Sequence, residues 1–89
     1  MPTVYIPTLL HSLTGGRSQL EVAGSTVRQV IEGLEIQYPG LRDRLIDGDR
    51  LRPNISVAVD GEITPLGLLE DVRPESEVHF VAAIKGGCL

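Results

Sequence analysis

Few residues in this 89-residue sequence have types suited to bond-making chemistry, and their spacing decides against most of it. His11 and His79 are the only histidines. The strand pattern puts them on different strands, with no Ser or Cys nucleophile brought near either one. Structural or surface histidines are the expectation. Asp43, Asp47 and Asp49 lack the central glycine and terminal glutamate of a calcium loop. Gly15-Gly16 is not followed by the helix that a phosphate-cradling loop needs. Asn54-Ile55-Ser56 matches a glycosylation triplet by chance, inside an expected strand. Cys88 stands second from the end, outside the four-residue prenylation box. No active site and no metal site assembles, so the expectation is a protein that is not an enzyme.

One group is left, the tail Lys85-Gly86-Gly87-Cys88-Leu89. A diglycine has no β-carbons to clash, so it can thread extended into a narrow catalytic channel. A terminal glycine carboxylate can then be adenylated as an unhindered mixed anhydride, open to a sulfur or nitrogen nucleophile. In this sequence Cys88 and Leu89 follow Gly87, so its carboxyl group is tied up in an amide. The bland alternative is a frayed chain end.

These residues need elements to position them. Val4 and Ile6 alternate with Tyr5 and Pro7, and Leu9-Leu10 end the segment. Thr14-Gly15-Gly16 reads as a tight turn and Leu20 and Val22 as a returning strand, so residues 3–23 form a β-hairpin. Val27, Val30, Ile31, Leu34, Tyr38 and Leu41 fall at helical spacing, with polar residues on the other face. Thr26 and Gln29 make a capping box at its start, and Pro39-Gly40 stops it. Gly33 inside the helix marks a close contact. Leu41 to Ile46 adds one more helical turn.

Asp47 to Pro53 reads as a polar loop with charges of alternating sign. Ile55, Val57 and Val59 alternate with Ser56, Ala58 and Asp60 in a strand that ends at Asp60-Gly61. Glu62 to Thr64 pair briefly. Leu66, Leu68, Leu69 and Val72 plug an irregular stretch into the core. Glu77 to Ile84 is the last strand, with Val78, Phe80, Ala82 and Ile84 on one face and His79, Val81 and Ala83 on the other. The order β-β-α-β-(β)-β predicts an α+β domain, a mixed sheet of four to five strands packed on one main helix. With first and last strands parallel at its centre, that is a β-grasp. The division is a domain over 1–84 and a flexible tail over 85–89.

Composition agrees with one small domain. At this length folding buries about two-thirds of the unfolded surface, and a 42% apolar content supplies a core. A single cysteine excludes an internal disulfide framework. Twelve acidic residues against seven Arg and one Lys give a net charge of −4, and only Tyr5, Tyr38 and Phe80 are aromatic. Nucleic-acid binding needs a basic face and stacking aromatics, so it is not expected. The acidity suits docking on a basic protein surface. No apolar run is long enough to span a bilayer, and Met1-Pro2-Thr3 opens neither a signal peptide nor a myristoylation motif. A cytoplasmic protein, monomeric when free and without membrane contact, is expected.

In this order the segments resemble the MoaD/ThiS family of ubiquitin-like sulfur carriers over nearly the whole chain. The resemblance is carried by Val4-Tyr5-Ile6-Pro7-Thr8-Leu9, Thr14-Gly15-Gly16, Thr26-Val27 and Gln37-Tyr38-Pro39-Gly40-Leu41. Asn54 to Gly61, and Val78 to Ile84 leading to Gly86-Gly87, complete it. Ile6-Pro7-Thr8 with Thr14-Gly15-Gly16 resembles the branch that serves cysteine biosynthesis. The resemblance implies that a ThiF/MoeB-type enzyme adenylates Gly87 with ATP, the carrier itself binding no cofactor. Sulfide or a persulfide then converts the adenylate to a thiocarboxylate, which donates sulfur to a biosynthetic enzyme. It also implies that a JAMM-type zinc metalloprotease first removes Cys88 and Leu89. Attack of the Cys88 thiol on the Gly87 carbonyl is a weaker alternative, because amides lie far downhill of thioesters.

Strand alternation puts Val81 and Ala58 on the exposed side of the sheet near the tail. There they either form an apolar docking patch or fill the sheet's covered face. Two other classes share the fold: a protein modifier joined through Gly87 to lysines, and a β-grasp interaction module indifferent to Gly87. One lysine, Lys85, leaves almost no site for modifier chains and favours the carrier.

Overall fold

The structure is a computed structural model, described over residues 1–82. Strands β1 (Thr3–Tyr5), β2 (Gln19–Glu21), β5 (Ile55–Val59), β6 (Glu62–Ile63) and β7 (Glu77–Ala82) form one sheet in the order β2-β1-β7-β5-β6. Helix α1 (Val27–Gln37) lies between β2 and the short helix α2 (Leu41–Leu45) in sequence. A separate two-stranded ribbon joins β3 (Ile46–Asp47) to β4 (Arg50–Leu51). Central β7 runs parallel to β1, pairing Val4 with Val78, and antiparallel to β5, pairing Val57 with Phe80. This is the β-grasp arrangement.

One core joins helix and sheet. Val27, Val30, Ile31 and Leu34 of α1 are fully buried, as are Val4, Leu41, Leu45 and Val78. Gly33 is the close approach its position suggested: a β-carbon there would sit 2.5 Å from Val22 Cγ1. The Thr26 hydroxyl accepts the Gln29 amide hydrogen at 3.2 Å. The reciprocal half of the expected capping box is displaced by one residue, since the Gln29 side-chain oxygen Oε1 accepts from Ser25 N–H at 2.9 Å and from Ser25 Oγ at 2.8 Å. At the other end, Glu35 turns back to accept amide hydrogens from Gly40 and Arg42, which holds α2 against α1.

Four sequence expectations are corrected. The hairpin over 3–23 has short arms, because β1 ends at Tyr5 and a 3-10 helix fills Thr8–Leu13. Pro7 has no amide hydrogen for a ladder and its carbonyl starts that helix by accepting from Leu10 N–H. His11 therefore stands on a helical turn and not on a strand. The loop from Asp47 to Pro53 contains β4, turned back at Gly48 with φ +70°. Leu66 and Leu69 are 57% and 75% exposed, while only Leu68 and Val72 plug the core. A second 3-10 turn, Gly67–Leu69, can point just one of its three residues inward. Among the described residues no helix is long and apolar enough to cross a membrane.

Candidate functional site

Gly86, Gly87, Cys88 and Leu89 lie outside the described residues, as do Ala83, Ile84 and Lys85. The site is therefore built from what leads to them. Strand β7 is the central strand, held on both sides by β1 and β5, and its last described residue is Ala82, opposite Ile55. The diglycine thus follows the most firmly paired strand of the sheet by a few residues.

Among the described residues, no helix covers the face of the sheet away from α1. Alternation from buried Val4, Val57, Val78 and Phe80 puts Tyr5, Ser56, Ala58, His79 and Val81 on this open face. Tyr5 and His79 are register partners, and their rings stack with centroids 4.1 Å apart and planes 5° from parallel. Glu77 Oε1 stands 3.6 Å from His79 Nε2. Glu21 and Glu77 flank Thr3 at one end of the face. Val81, 48% exposed, occupies the other end, the one that continues to the tail. The face therefore grades from acidic to apolar toward the C-terminal end of β7.

Val81 and Ala58 share this face, as strand alternation indicated. The exposure expected of Ala58 is not found: it is only 8% exposed. Its side chain is a single methyl group, flanked by the larger residues His79 and Ile63, its cross-strand partners. His79 shares the face with Val81, as the alternation in Glu77 to Ile84 indicated, whereas Tyr5 and Ile63 were not expected as members of it. The signal was present in the same alternation that placed Val81.

The remaining polar residues have local roles. His11 Nε2 is 2.9 Å from the Ile6 carbonyl oxygen, which ties the first 3-10 turn to the end of β1. Buried Thr14 directs its hydroxyl to the Arg17 carbonyl at 2.7 Å, ahead of Gly15 and Gly16 with φ +65° and +89°. Both glycines adopt the left-handed geometry the turn requires. Asp60 caps the β5 end, and its carboxyl is held below its ordinary pKa mainly by the Glu77 amide, then by Ser76 Oγ and Arg73. Among the described residues no group of three or more His, Cys, Asp or Glu side chains could hold a metal ion.

A β-grasp sheet with one open face, whose central strand runs on to a diglycine, defines a ubiquitin-like protein. The chain belongs to the ThiS family, whose model matches residues 4–87. It is 32% identical to the sulfur carrier protein CysO of Mycobacterium tuberculosis over 90 residues, covering 96% of this chain and 97% of that one. Its fold matches a chain from the crystal structure of the Amycolatopsis orientalis BexX/CysO complex with a TM-score of 0.92. That match has 32% identity and covers 98% and 100% of the two chains. SAMP1 of Haloferax volcanii, a small archaeal modifier protein, matches with a TM-score of 0.75 and 25% identity, covering 97% and 98%.

Proposed function

We propose that this protein carries sulfur for cysteine biosynthesis, or for another sulfur-containing metabolite, on the carboxyl group of Gly87. The observation that carries the reading is the ThiS-family match, which ends at Gly87, the second glycine of the tail. The 32% identity to CysO of Mycobacterium tuberculosis supports the cysteine branch.

The chemistry proceeds in balanced steps. A JAMM-type zinc metalloprotease hydrolyses the Gly87–Cys88 amide, water supplying the new carboxylate oxygen and Cys88-Leu89 leaving with a free amine. In a ThiF/MoeB-type enzyme the Gly87 carboxylate attacks the α-phosphorus of ATP and releases pyrophosphate. Sulfide then adds to the acyl carbon and AMP leaves, giving the thiocarboxylate. Its sulfur finally attacks an electrophilic carbon of a substrate held by the accepting enzyme and displaces a leaving group there. Water then cleaves the resulting thioester to free the thiol product and the Gly87 carboxylate. The carrier supplies no catalytic group and holds no cofactor; ATP belongs to the activating enzyme. Its contribution is a glycine without side-chain hindrance and a docking face, with Val81 nearest the tail and Ala58 filling the sheet beside it.

The test is intact mass of the chain after incubation with such a protease, activating enzyme, ATP and sulfide. Loss of Cys88-Leu89 followed by an oxygen-to-sulfur exchange is expected. An unchanged shortened chain, in a mixture that converts another ThiS-family carrier, overturns the reading. Retention of Cys88-Leu89 alongside normal sulfur transfer overturns the processing step.

A second reading is a modifier joined through Gly87 to lysines of other proteins, favoured by the likeness to SAMP1. It uses the same adenylate with a lysine amine in place of sulfide. Diglycine-type adducts on cellular lysines that vanish with Gly87→Ala would support it.

A further inference from the structure

Charge is unevenly spread along the sheet. At the start of β7, Asp60, Glu62, Glu70 and Asp71 line a cleft with a single guanidinium, Arg73. Glu77 bonds to Asp60 beside it. At the other end of the same two strands Ile55 faces Ala82. There Ile55 borders a cleft of about 430 Å³ shared with Leu9, Leu10, Asp43, Arg44, Arg52 and Asn54. Two guanidinium groups stand in it against one carboxylate, in a chain of net charge −4.

The fold does not neutralise these two arginines. Arg28, Arg42 and Arg73 lie within ion-pair distance of Asp49, Glu32 and Asp60, and Arg50 faces Asp47 across the ribbon. Among the described residues, neither Arg44 nor Arg52 comes within ion-pair distance of a carboxylate. Arg52 is fixed instead by its Nε–H, which donates to the Asp43 main-chain carbonyl at 2.7 Å, a neutral acceptor that leaves its charge uncompensated. Both arginines are exposed, and Leu9, 67% exposed, adds apolar surface to the same cleft.

We propose that this cleft binds an acidic peptide segment of the protein that receives the tail. Arg44 and Arg52 pair with its carboxylates, and Leu9 packs on an apolar side chain among them. The overall acidity suits a basic surface; this end alone suits an acidic one. The cleft lies at the end of β7 that continues toward Gly87, so the contact brings that end to the partner. The opposite, acidic end is repelled by the same surface, and the carrier approaches in one orientation. The partner's identity rests on the sulfur-carrier reading; the cleft's preference for an acidic segment does not.

The probe is an N-acetylated, C-amidated peptide of sequence Gly-Glu-Glu-Leu-Glu-Gly, titrated into the isotope-labelled full chain at low ionic strength and followed by chemical shifts. Saturable changes centred on Leu9, Arg44, Arg52 and Asn54 are expected. Added salt should weaken them, because exposed charges are screened. The counterpart Gly-Gln-Gln-Leu-Gln-Gly should not bind. Arg44→Gln alone spares the Arg52 hydrogen bond and should weaken binding about threefold or more; with Arg52→Gln the loss should reach about tenfold. The control pair Arg28→Gln, Arg50→Gln removes the same charge elsewhere and should leave binding within about twofold. With a ThiF/MoeB-type enzyme that adenylates the processed chain, Arg44→Gln, Arg52→Gln should raise KM about tenfold at low salt and leave kcat unchanged.

Absence of saturable binding at millimolar peptide overturns the proposal. So do changes centred on Arg17, Arg28 or Arg50, equal weakening by the control pair, and an unchanged KM in the Arg44, Arg52 double variant. An enzyme that fails on the parent chain, while converting another ThiS-family carrier, counts against the sulfur-carrier reading, and the peptide titration still decides the cleft.

Discussion

Asp60 and Glu77 exchange a reciprocal pair of hydrogen bonds. The Asp60 amide donates to the Glu77 carbonyl at 2.8 Å, and the Glu77 amide donates to Asp60 Oδ1 at 3.0 Å. Asp60 is also the one non-glycine residue with positive φ, 54°, among the described residues. Its carboxylate therefore fastens the end of β5 to the start of β7 at a bend that few side chains tolerate. The central strand that leads to the diglycine is registered at this point.

The bond from Glu77 N–H, the bond from Ser76 Oγ and the Arg73 guanidinium all favour ionised Asp60, so its folded-state pKa lies below the unfolded value. Its contribution to stability is present above the unfolded carboxylate pKa and is lost as pH falls through the folded one. Asp60→Asn keeps the backbone geometry and removes the charge. Urea unfolding should show the variant less stable at pH 7, with the gap to the parent closing under acid. A gap that stays constant down to acid pH would sink the assignment.

Gly33→Ala sets two effects against each other. Helix propensity improves by up to about 1 kcal/mol, but the new methyl meets Val22 Cγ1, a stiff and buried side chain. Overpacking of this kind costs about 1–3 kcal/mol, so the net effect should be a loss of about 1 kcal/mol. Adding Val22→Ala should recover part of what the glycine substitution costs, as a double-mutant cycle on urea midpoints would measure.

Leu34 and Ile36 lie two positions apart on α1 and should answer oppositely to truncation. Leu34 is 0% exposed and Ile36 is 83% exposed. Leu34→Ala should cost about 2–5 kcal/mol, a large part of the about 5–15 kcal/mol that holds a typical small domain. Ile36→Ala should stay within about 0.5 kcal/mol of the parent. Thermal melts of the two variants side by side check this.

Val81 and Ala58 share the open face, and on the proposed docking reading their substitution separates docking from packing. Val81→Asp places a charge on an already exposed position, so the unfolding midpoint should hold while activation of the processed tail slows about tenfold. Ala58→Asp puts a carboxylate at a position only 8% exposed, between His79 and Ile63, and should destabilise the fold by about 1–3 kcal/mol as well. Adenylation rates measured together with melts distinguish the two. Equal loss of stability in both would place Val81 in the packing and not in the dock.

Much of the fold was legible because its signals are local. The apolar spacing of Val27, Val30, Ile31 and Leu34, the Thr26 cap and the alternation in Ile55–Val59 each depend on neighbours a few residues away. The glycine pair Gly15-Gly16 and the tight fit at Gly33 were readable for the same reason, since each residue type states its own backbone demand. The diglycine and its Cys88-Leu89 extension are features of sequence alone.

What the tertiary structure decided is what neighbours do to each residue's exposure. Leu66, Leu68 and Leu69 are the same residue type, and only the direction of the 3-10 turn sends one into the core and two into solvent. Alternation puts Ala58 on the right face, yet its burial depends on neighbours on other strands, where His79 and Ile63 flank it. The early end of β1 likewise depends on a choice no local pattern makes, because Pro7 suits either an irregular strand or a helix start. Local chemistry sets which faces exist; contacts between residues distant in sequence set which of them stay open to a partner.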